Sequence, residues 1–353
     1  MKKPGSLSRA VWLGALGILA MASSAAPVGP ALERPAMQTA LAARSVLQGA
    51  ARAGKRIVTI GERGIVLLSD DEGNTWRQAS VPVSVGLTAV RFVDAQAGWI
   101  VGHGGTVLAT RDGGATWSKQ LDGLRIARLI LDAAKASGDA KAQAEAERLV
   151  ADGADKPLLD LHFFDARNGI VVGAFNTALV THDGGATWEP IGKRLDNPRS
   201  LHLYAVRARA EEVLIAGEQG LVLRSSDHGG TFHRLVLPYK GSFFTAEFAS
   251  DSEFVVAGLR GNAWKSADGG ASWTQLAVPA PVSFTASAVD ADGRVWLANQ
   301  GGMAFVLHPG GALAPLPNRL PPLNGLLPLG GRQMLALTYT GAVRFALGGD
   351  APK

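Results

Sequence analysis

An eight-residue pattern occurs five times in this chain of 353 residues. Each copy reads Ser or Thr, any residue, Asp, any residue, Gly, any residue, Thr or Ser, and an aromatic residue. The copies begin at Ser69, Thr110, Thr181, Ser225 and Ser266. Five matches to one template indicate an internal repeat, and a repeat constrains the architecture of a chain more than any single motif does.

Each residue type in the pattern fits a tight hairpin turn. The Asp carboxylate accepts hydrogen bonds from backbone N–H groups downstream, Gly takes positive φ, and the aromatic residue begins the next strand with a large apolar surface. One carboxylate per loop offers far fewer oxygens than Ca²⁺ requires, so we predict a structural role with no metal and no cofactor. The positions are Asp71, Gly73, Trp76, Asp112, Gly114, Trp117, Asp183, Gly185, Trp188, Asp227, Gly229, Phe232, Asp268, Gly270 and Trp273.

A second marker lies seven residues before each of these Asp residues and follows an apolar run: Gly64, Gly105, Asn176, Gly220 and Gly261. The unit is therefore strand, short turn, strand, Asp-bearing turn, strand. Two further copies of the first half, in 294–301 and 333–341, bring the count to seven. A period near 40 residues with about four strands is typical of propeller blades. We predict an all-β fold, a seven-bladed β-propeller over residues 44–347.

One interval is longer than the others. Asp112 and Asp183 are 71 residues apart, whereas Asp71 and Asp112 are 41 apart, so about 30 residues are inserted. Within 121–157, Leu124, Ala127, Leu131 and Ala134 share one helical stripe, and 140–151 is rich in Ala and Glu, with Ser137-Gly138-Asp139 between the two stretches. This pattern predicts a helical hairpin.

The N-terminus has the features of a secretory signal. Lys2, Lys3 and Arg9 precede or flank an apolar run over 10–22, and small residues follow up to Ala25. The run is too short to cross a bilayer. We therefore predict a signal peptide over 1–25, cleavage near Ala25, a periplasmic location and no membrane span in the mature chain.

The two ends of the propeller are predicted to meet in its last blade. Only one strand, 342–347, follows Gly341 before the polar tail 348–353, so that blade lacks its outermost strand. In the N-terminal segment 26–43, residues 37–42 are available to supply it.

Charge and cysteine content exclude several classes of protein. The formal charge of the chain is +5, but residues 1–25 hold three Lys or Arg and no Asp or Glu, which leaves 5 − 3 = +2. A domain so weakly charged lacks the basic surface that nucleic-acid binding needs. The absence of cysteine excludes disulfides and thiol chemistry.

Residues 90–117 resemble the repeat of the photosystem II stability/assembly factor family, whose members carry Asp-box (BNR-like) motifs. The segment reads Val90-Arg91-Phe92-Val93-Asp94, Gly98-Trp99-Ile100-Val101-Gly102 and then 105–117, and 161–188 match nearly as well. The resemblance extends over about 44–347. It implies a non-catalytic exported propeller that binds a protein partner, a membrane protein or membrane-complex subunit, and assists its assembly.

The topology of a four-stranded blade predicts where a partner binds. The turn between strands two and three lies on the same face as the connection to the next blade, opposite the Asp turns, so the insertion also rises from that face. Ordinary solvated turns would have a similar composition, but a mixed set around one concave mouth favours protein recognition. The predicted set is Glu62, Arg63, His103, Phe175, Asn176, Glu218, Gln219, Arg260, Asn299, Gln300 and Tyr339.

Two other functions are compatible with parts of the pattern. Asp boxes also occur in glycoside hydrolases, where a sialidase needs an Arg cluster and a Tyr nucleophile, and other families need two facing carboxylates. The chain has three Tyr residues, and Glu62 and Glu218, the acidic residues of the predicted face, belong to different blades. We therefore predict no enzyme. An accessory subunit of an envelope transporter complex would differ from a chaperone only in how long it stays with its partner.

Overall fold

The computed structural model describes residues 29–308 and 311–347. In this part of the chain the strands form seven antiparallel sheets, six with four strands and one with three. The strands of every sheet follow in chain order, so each sheet is a series of hairpins. The predicted signal peptide 1–25 and the tail 348–353 lie outside the described residues.

Blades 1 to 3 take up the first half of the propeller. Blade 1 has β1 (Leu47–Ala53), β2 (Arg56–Gly61), β3 (Val66–Ser69) and β4 (Arg77–Gln78). Blade 2 has β5 (Leu87–Phe92), β6 (Gly98–Gly102), β7 (Val107–Thr110) and β8 (Ser118–Leu121). Blade 3 has β9 (Leu158–Phe163), β10 (Gly169–Gly173), β11 (Ala178–Thr181) and β12 (Glu189–Pro190).

Blades 4 to 7 complete it. Blade 4 has β13 (Leu203–Arg209), β14 (Glu212–Gly217), β15 (Val222–Ser225) and β16 (His233–Arg234), and blade 5 has β17 (Phe243–Phe248), β18 (Phe254–Gly258), β19 (Ala263–Ser266) and β20 (Thr274–Gln275). Blade 6 has β21 (Phe284–Val289), β22 (Val295–Asn299), β23 (Ala304–Leu307) and β24 (Leu313–Pro315). Blade 7 has β25 (Leu323–Gly330), β26 (Gln333–Thr338) and β27 (Gly341–Ala346).

The first strand of each blade lies nearest the axis. Each of these inner strands contacts the inner strand of the next blade, and β25 of blade 7 contacts β1 of blade 1, which closes the ring. The predicted seven-bladed propeller is confirmed. All seven inner strands begin with a buried apolar residue and a shift of register directly after it, at Leu47, Leu87, Leu158, Leu203, Phe243, Phe284 and Leu323.

The core lies between neighbouring blades rather than within one. Trp99 of blade 2 is fully buried and stacks on Phe163 of blade 3, with ring centroids 3.7 Å apart. Apolar strand runs predict a core position for Trp99, Trp264 and Trp296. Trp99 and Trp296 are buried, whereas Trp264 is half-buried.

The ring closes by packing and not by the expected shared strand. In the described residues blade 7 has three strands, and 37–42 do not pair with β27. Instead the N-terminal segment bonds along blade 1, where Ala36 N–H donates to Val81 O at 2.9 Å and Gln78 Nε2 donates to Met37 O at 3.0 Å. The prediction for 37–42 was therefore wrong, because the backbone groups of this segment are engaged on blade 1. Ala42 packs with residues of blades 1 and 7 instead.

The insertion is a helical hairpin, α1 (Gly123–Ser137) and α2 (Ala140–Asp152). Gly138 has φ of 68° at the end of α1, and the Asp139 carboxylate caps α2 by accepting from Lys141 N–H at 3.0 Å. The expected stripe is wrong at Leu124, which is exposed, because Ile126 is the residue of this turn that packs in the propeller core. Neither helix in the described residues is long and apolar enough to cross a membrane.

Candidate functional site

The two ends of the propeller differ in their turns. The turns that join strands one and two, and those that join strands three and four, lie at one end, which we call the Asp-box face. The turns between strands two and three, the connections to the next blade and the helical hairpin lie at the other end, which we call the tip face. This arrangement follows from the strand order.

Each Asp box holds its own backbone in place. Asp183 accepts from Thr187 N–H at 2.8 Å and from the hydroxyl groups of Thr187 and Thr181 at 2.6 and 2.9 Å. Hydroxyl and backbone donors of this kind hold the pKa of Asp71, Asp183, Asp227 and Asp268 at about 2. The five box glycines all have positive φ, as predicted.

The tip face carries residues in a left-handed conformation. Four of its turns are single 3-10 turns, Glu62–Gly64, His103–Gly105, Glu218–Gly220 and Leu259–Gly261. The middle residue has φ of 52° in Arg63, 55° in Gln219 and 54° in Arg260, and Phe175 has φ of 52° in the blade 3 turn. This conformation costs roughly 1–2 kcal/mol for a residue with a side chain. Only blade 2 places a glycine, Gly104, at the middle of its 3-10 turn. Strain of this kind is typical of positions kept for function.

The predicted residues differ in how far they reach into solvent. The exposed ones are Arg63, His103, Phe175, Arg260, Gln300 and Tyr339, and the half-buried ones are Glu62, Asn176, Glu218 and Gln219. Asn299 is only 1% exposed, and its Oδ1 accepts from Gly301 and Met303 N–H at 3.0 Å each. Asn299 is therefore a turn-forming residue and does not belong to the surface, which corrects that prediction.

Three of the half-buried residues are also anchored to backbone. The Glu62 and Glu218 carboxylates accept from Val46 N–H and His202 N–H, at 3.3 and 3.2 Å, just before the inner strands of their blades. Asn176 donates to Gly192 O at 3.0 Å. These side chains are held by the backbone of the tip face, whereas the exposed set has side chains that reach into solvent.

A ring of side chains at the mouth of the central channel was not among the residues predicted from the sequence. The residue after the buried first residue of each inner strand lines a channel cavity of 190 Å³. The signal was present, since each is one position past a regularly spaced Leu or Phe, but no motif marked it. The mouth ring is Gln48, Thr88, Leu159, Tyr204, Phe244, Thr285 and Asn324.

A row of aromatic side chains joins the tip face to this ring. Phe175 is 57% exposed and meets the His202 ring edge-on with centroids 4.5 Å apart. His202 lies 6.1 Å from Tyr204, which lies 5.2 Å from Phe244. The row offers apolar surface and ring edges from the outside of blade 3 to the channel mouth.

Deeper in the channel wall, buried charges cross between blades. Arg207 of blade 4 bonds Asp160 of blade 3 and Glu247 of blade 5, the latter at 2.9 Å, and Arg91 of blade 2 lies 3.7 Å from Asp160. Burial opposes the charge of Arg207, but the two carboxylates raise its pKa. Burial and the charge of Arg207 lower the pKa of Arg91. Two cations and two anions balance, so the cluster has no net charge.

Two buried carboxylates and one tyrosine of the channel can be compared with the groups that a glycoside hydrolase uses. Asp160 and Glu247 both form ion pairs with Arg207, whereas a hydrolase places its two carboxylates on opposite sides of the bond it cleaves. Burial and the charge of Glu218 raise the pKa of Tyr204. A tyrosine nucleophile needs the opposite shift, because only the ionised phenol attacks readily.

Comparisons with known proteins agree with this geometry. The family model described as photosynthesis system II assembly factor YCF48 matches residues 68–133 and 140–313, more than half of the chain. The chain is 34% identical over 82 residues to the photosystem II assembly lipoprotein Ycf48 of Synechococcus sp. strain CC9902, which is 23% of this chain and 25% of that protein. The matched stretch thus spans about a quarter of that relative.

Solved structures show the same fold. "YCF48 bound to D1 peptide" superposes with a TM-score of 0.65 at 16% identity, covering 90% of this chain and 100% of that one. YCF48 from Cyanidioschyzon merolae gives 0.65 at 16% identity, covering 89% and 98%. The xyloglucanase of Xanthomonas campestris gives 0.61 at 13% identity, covering 87% and 52%, so the propeller itself does not distinguish binding proteins from hydrolases. With the family model matched over most of the propeller, the chain belongs to the photosystem II assembly factor Ycf48 family.

Proposed function

We propose that this chain is a non-catalytic scaffold that binds a polypeptide segment of a membrane protein at its tip face and assists assembly of the complex to which that protein belongs. The observation that carries the proposal is the display of Arg63, Phe175 and Arg260 in left-handed conformations at one end of the ring. The mouth ring and the aromatic row lie at the same end. The polar side chains of Arg63 and Arg260 therefore share a face with the apolar surface of the aromatic row, and protein interfaces combine an apolar centre with a polar rim in the same way.

The relatives support a polypeptide as the ligand. One solved YCF48 is bound to a D1 peptide, and the Synechococcus relative is a photosystem II assembly lipoprotein. The features of residues 1–25 support export, and we propose that the protein acts in the periplasm. A partner there would present a terminus or loop outside the membrane.

The proposal is tested by truncating four exposed side chains of the tip face in one variant. A variant with Arg63→Ala, His103→Ala, Arg260→Ala and Tyr339→Ala is compared with the unmodified chain in affinity capture from detergent-solubilised membranes of the source organism, followed by mass spectrometry. We expect the captured membrane protein to be lost or strongly reduced, because tip contacts provide orientation and anchoring.

A matched control carries Lys55→Ala, Gln96→Ala and Glu211→Ala, three exposed residues in turns of the Asp-box face. This control should capture as much partner as the unmodified chain. Equal capture by the tip variant and the control would contradict the assignment of the binding surface.

A further inference from the structure

A cleft of 780 Å³ lies between the helical hairpin and blade 3 on the tip face. Its size is in the range of about 300–1,000 Å³ found for ligand sites. We propose that this hairpin cleft binds a segment of the partner polypeptide in which apolar side chains are flanked by Lys or Arg. The inference rests on the proposed function in one respect, that the occupant is a polypeptide.

Each of the three walls of the hairpin cleft contributes apolar side chains. Both helices and blade 3 contribute, and the side chains come from three separate parts of the sequence. The apolar lining residues are Ile130 and Ala134 of α1, Ala146 and Leu149 of α2, and Phe175 and Leu195 of blade 3. An apolar segment would release water from all three walls on binding.

The helical wall is fixed to the propeller. Ile126 of α1 is 5% exposed and packs in the core between blades 2 and 3. Gly123 allows the start of α1 to lie against Ala154, because a Cβ there would come within 2.8 Å of the Ala154 Cα. The α2 helix packs on α1. The helices therefore stand at a set distance from blade 3.

The opposite wall is held by an asparagine network. Asn197 is buried and donates to Asn176 Oδ1 and to Leu201 O, both at 2.9 Å, and accepts from Leu201 N–H at 3.1 Å. Asn176 in turn donates to Gly192 O at 3.0 Å. This network joins the blade 3 tip to the loop after β12, so the cleft exists before a ligand arrives, which lowers the entropy cost of binding.

The charges on the rim favour a basic segment. Lys193 bonds the Ser137 hydroxyl at 3.2 Å and lies 3.8 Å from Asp139, and Lys156 bonds Asp155 and Asp152. Both rim lysines are thus already paired. Glu145 lies 4.0 Å from the exposed Lys141, and within the described residues Asp196 has no ion pair. Among the rim charges of the described residues, Asp196 is thus the one without an ion pair, and the three carboxylates of the cleft lining, Asp139, Glu145 and Asp196, outnumber its two lysines.

The cleft also leads to the rest of the tip face. Phe175 lines it and begins the aromatic row that ends at the channel mouth. A polypeptide seated in the cleft would therefore pass directly onto the mouth ring. This continuity favours a chain segment over a small compact ligand.

The test uses two peptides that carry fluorescein on the N-terminal amine of a Gly-Gly spacer, fluorescein-Gly-Gly-Lys-Leu-Phe-Leu-Lys-amide and the same peptide with Glu in place of each Lys, titrated against the full chain by fluorescence anisotropy. We expect the Lys peptide to bind about tenfold more tightly, since two rim charge pairs change sign. Ala133→Phe, which fills the cleft from the exposed face of α1, and Asp196→Lys with Glu145→Lys should each weaken the Lys peptide by about tenfold.

The control is Asp132→Lys with Glu147→Lys, exposed carboxylates on the same helices that do not line the cleft. It changes the charge equally and should leave binding within about twofold. Because the chain has no cysteine, Ala133→Cys also gives a single labelling site in the cleft wall, and Ala144→Cys gives one outside it. An acrylodan label should shift to shorter wavelength on peptide binding only at position 133.

Equal binding of the two peptides, or equal loss in the control, would overturn the proposal. The result is separable from the test of the proposed function. None of the four tip residues changed there lines the cleft, so a tip variant that loses its partner and still binds the Lys peptide leaves both proposals standing. A tip variant that keeps its partner contradicts only the tip assignment.

Discussion

At the scale of single residues, the first position of the Asp box has a role that the pattern alone did not show. In all five boxes its hydroxyl accepts the N–H of the box glycine, at 2.7 Å in Ser69 and Gly73, 3.0 Å in Thr110 and Gly114, and 2.8 Å in Thr181 and Gly185. The same bond is present in the boxes that begin at Ser225 and Ser266. The hydroxyl and the carboxylate thus both hold the turn by accepting backbone N–H groups. Of the two side chains, the one that bears the hydroxyl is the more deeply buried.

We predict that Thr181→Val destabilises the protein by about 1–3 kcal/mol, because the isosteric side chain leaves the buried Gly185 N–H without an acceptor. Thr181 is 1% exposed, so water cannot replace the hydroxyl. The matched control is Thr187→Val in the same box, whose hydroxyl is exposed and bonds Asp183. Urea unfolding of the two variants should show the larger loss for Thr181→Val, and equal losses would contradict this role.

At the scale of elements, blades are joined through the Asp boxes of their neighbours. The Gly184 carbonyl of blade 3 accepts from Trp99 Nε1 and Gln120 Nε2 of blade 2, both at 3.1 Å. Arg56 of blade 1 reaches Gly113 O of blade 2 at 3.2 Å, and Arg224 of blade 4 reaches Gly269 O of blade 5 at 3.0 Å. The residue before the box glycine therefore accepts hydrogen bonds from the adjacent blade, whereas the N–H of the box glycine closes its own turn.

We predict that Trp99→Phe costs about 1–3 kcal/mol, through the lost bond to Gly184 O and the space left beside Phe163. Trp264→Phe is the matched control. The Trp264 indole nitrogen is buried and has no hydrogen-bond partner in the described residues, so removing it relieves an unmet donor. Unfolding midpoints should separate the two variants, and a larger loss for Trp264→Phe would contradict the role of the inter-blade bond.

The sequence predicted those features that are encoded by neighbouring residues. The Asp box, the strands around it and the helical hairpin are local patterns, and all three are confirmed. The contact between Trp99 and Gly184, by contrast, joins residues 85 positions apart, and nothing in either motif specifies its partner. Asn299 was misassigned for a related reason, because position in a turn does not tell whether a side chain points outward or back to the backbone.

At the scale of the whole molecule, the ring is held at its centre by polar contacts that no single blade contains. Asp160, Arg207, Glu247 and Ser287 come from blades 3, 4, 5 and 6, and Ser287 donates to Glu247 at 2.7 Å. The period of about 40 residues places these four residues on neighbouring inner strands. The sequence does not show, however, whether a charged side chain on such a strand points toward the axis of the propeller. Closure between blades 7 and 1 also uses side chains, with Asn324 donating to Leu47 O at 3.0 Å.

The central cluster predicts how stability depends on pH. Burial, and then the charges of Arg91 and Arg207, lower the pKa of His162 to about 4, from an ordinary value of 6.5. Between these values the unfolded chain takes up a proton that the folded chain does not, so the free energy of unfolding falls as the pH falls through this window. From pH 7.5 to pH 5 the loss due to His162 should be at most about 2 kcal/mol. The Asp-box carboxylates, with pKa of about 2, affect stability only at lower pH.

Replacing His162 with Gln removes the titrating ring, so His162→Gln should flatten the dependence of the urea midpoint on pH between 5 and 7.5. His233→Gln, at an exposed position on β16, should leave the dependence as in the unmodified chain. Because burial and the charges of Arg91 and Arg207 act on His162, a flattened profile would show that they keep the His162 imidazole neutral in the folded chain. A profile that His162→Gln leaves unchanged would mean that the buried charges do not exclude a proton from the centre of the propeller.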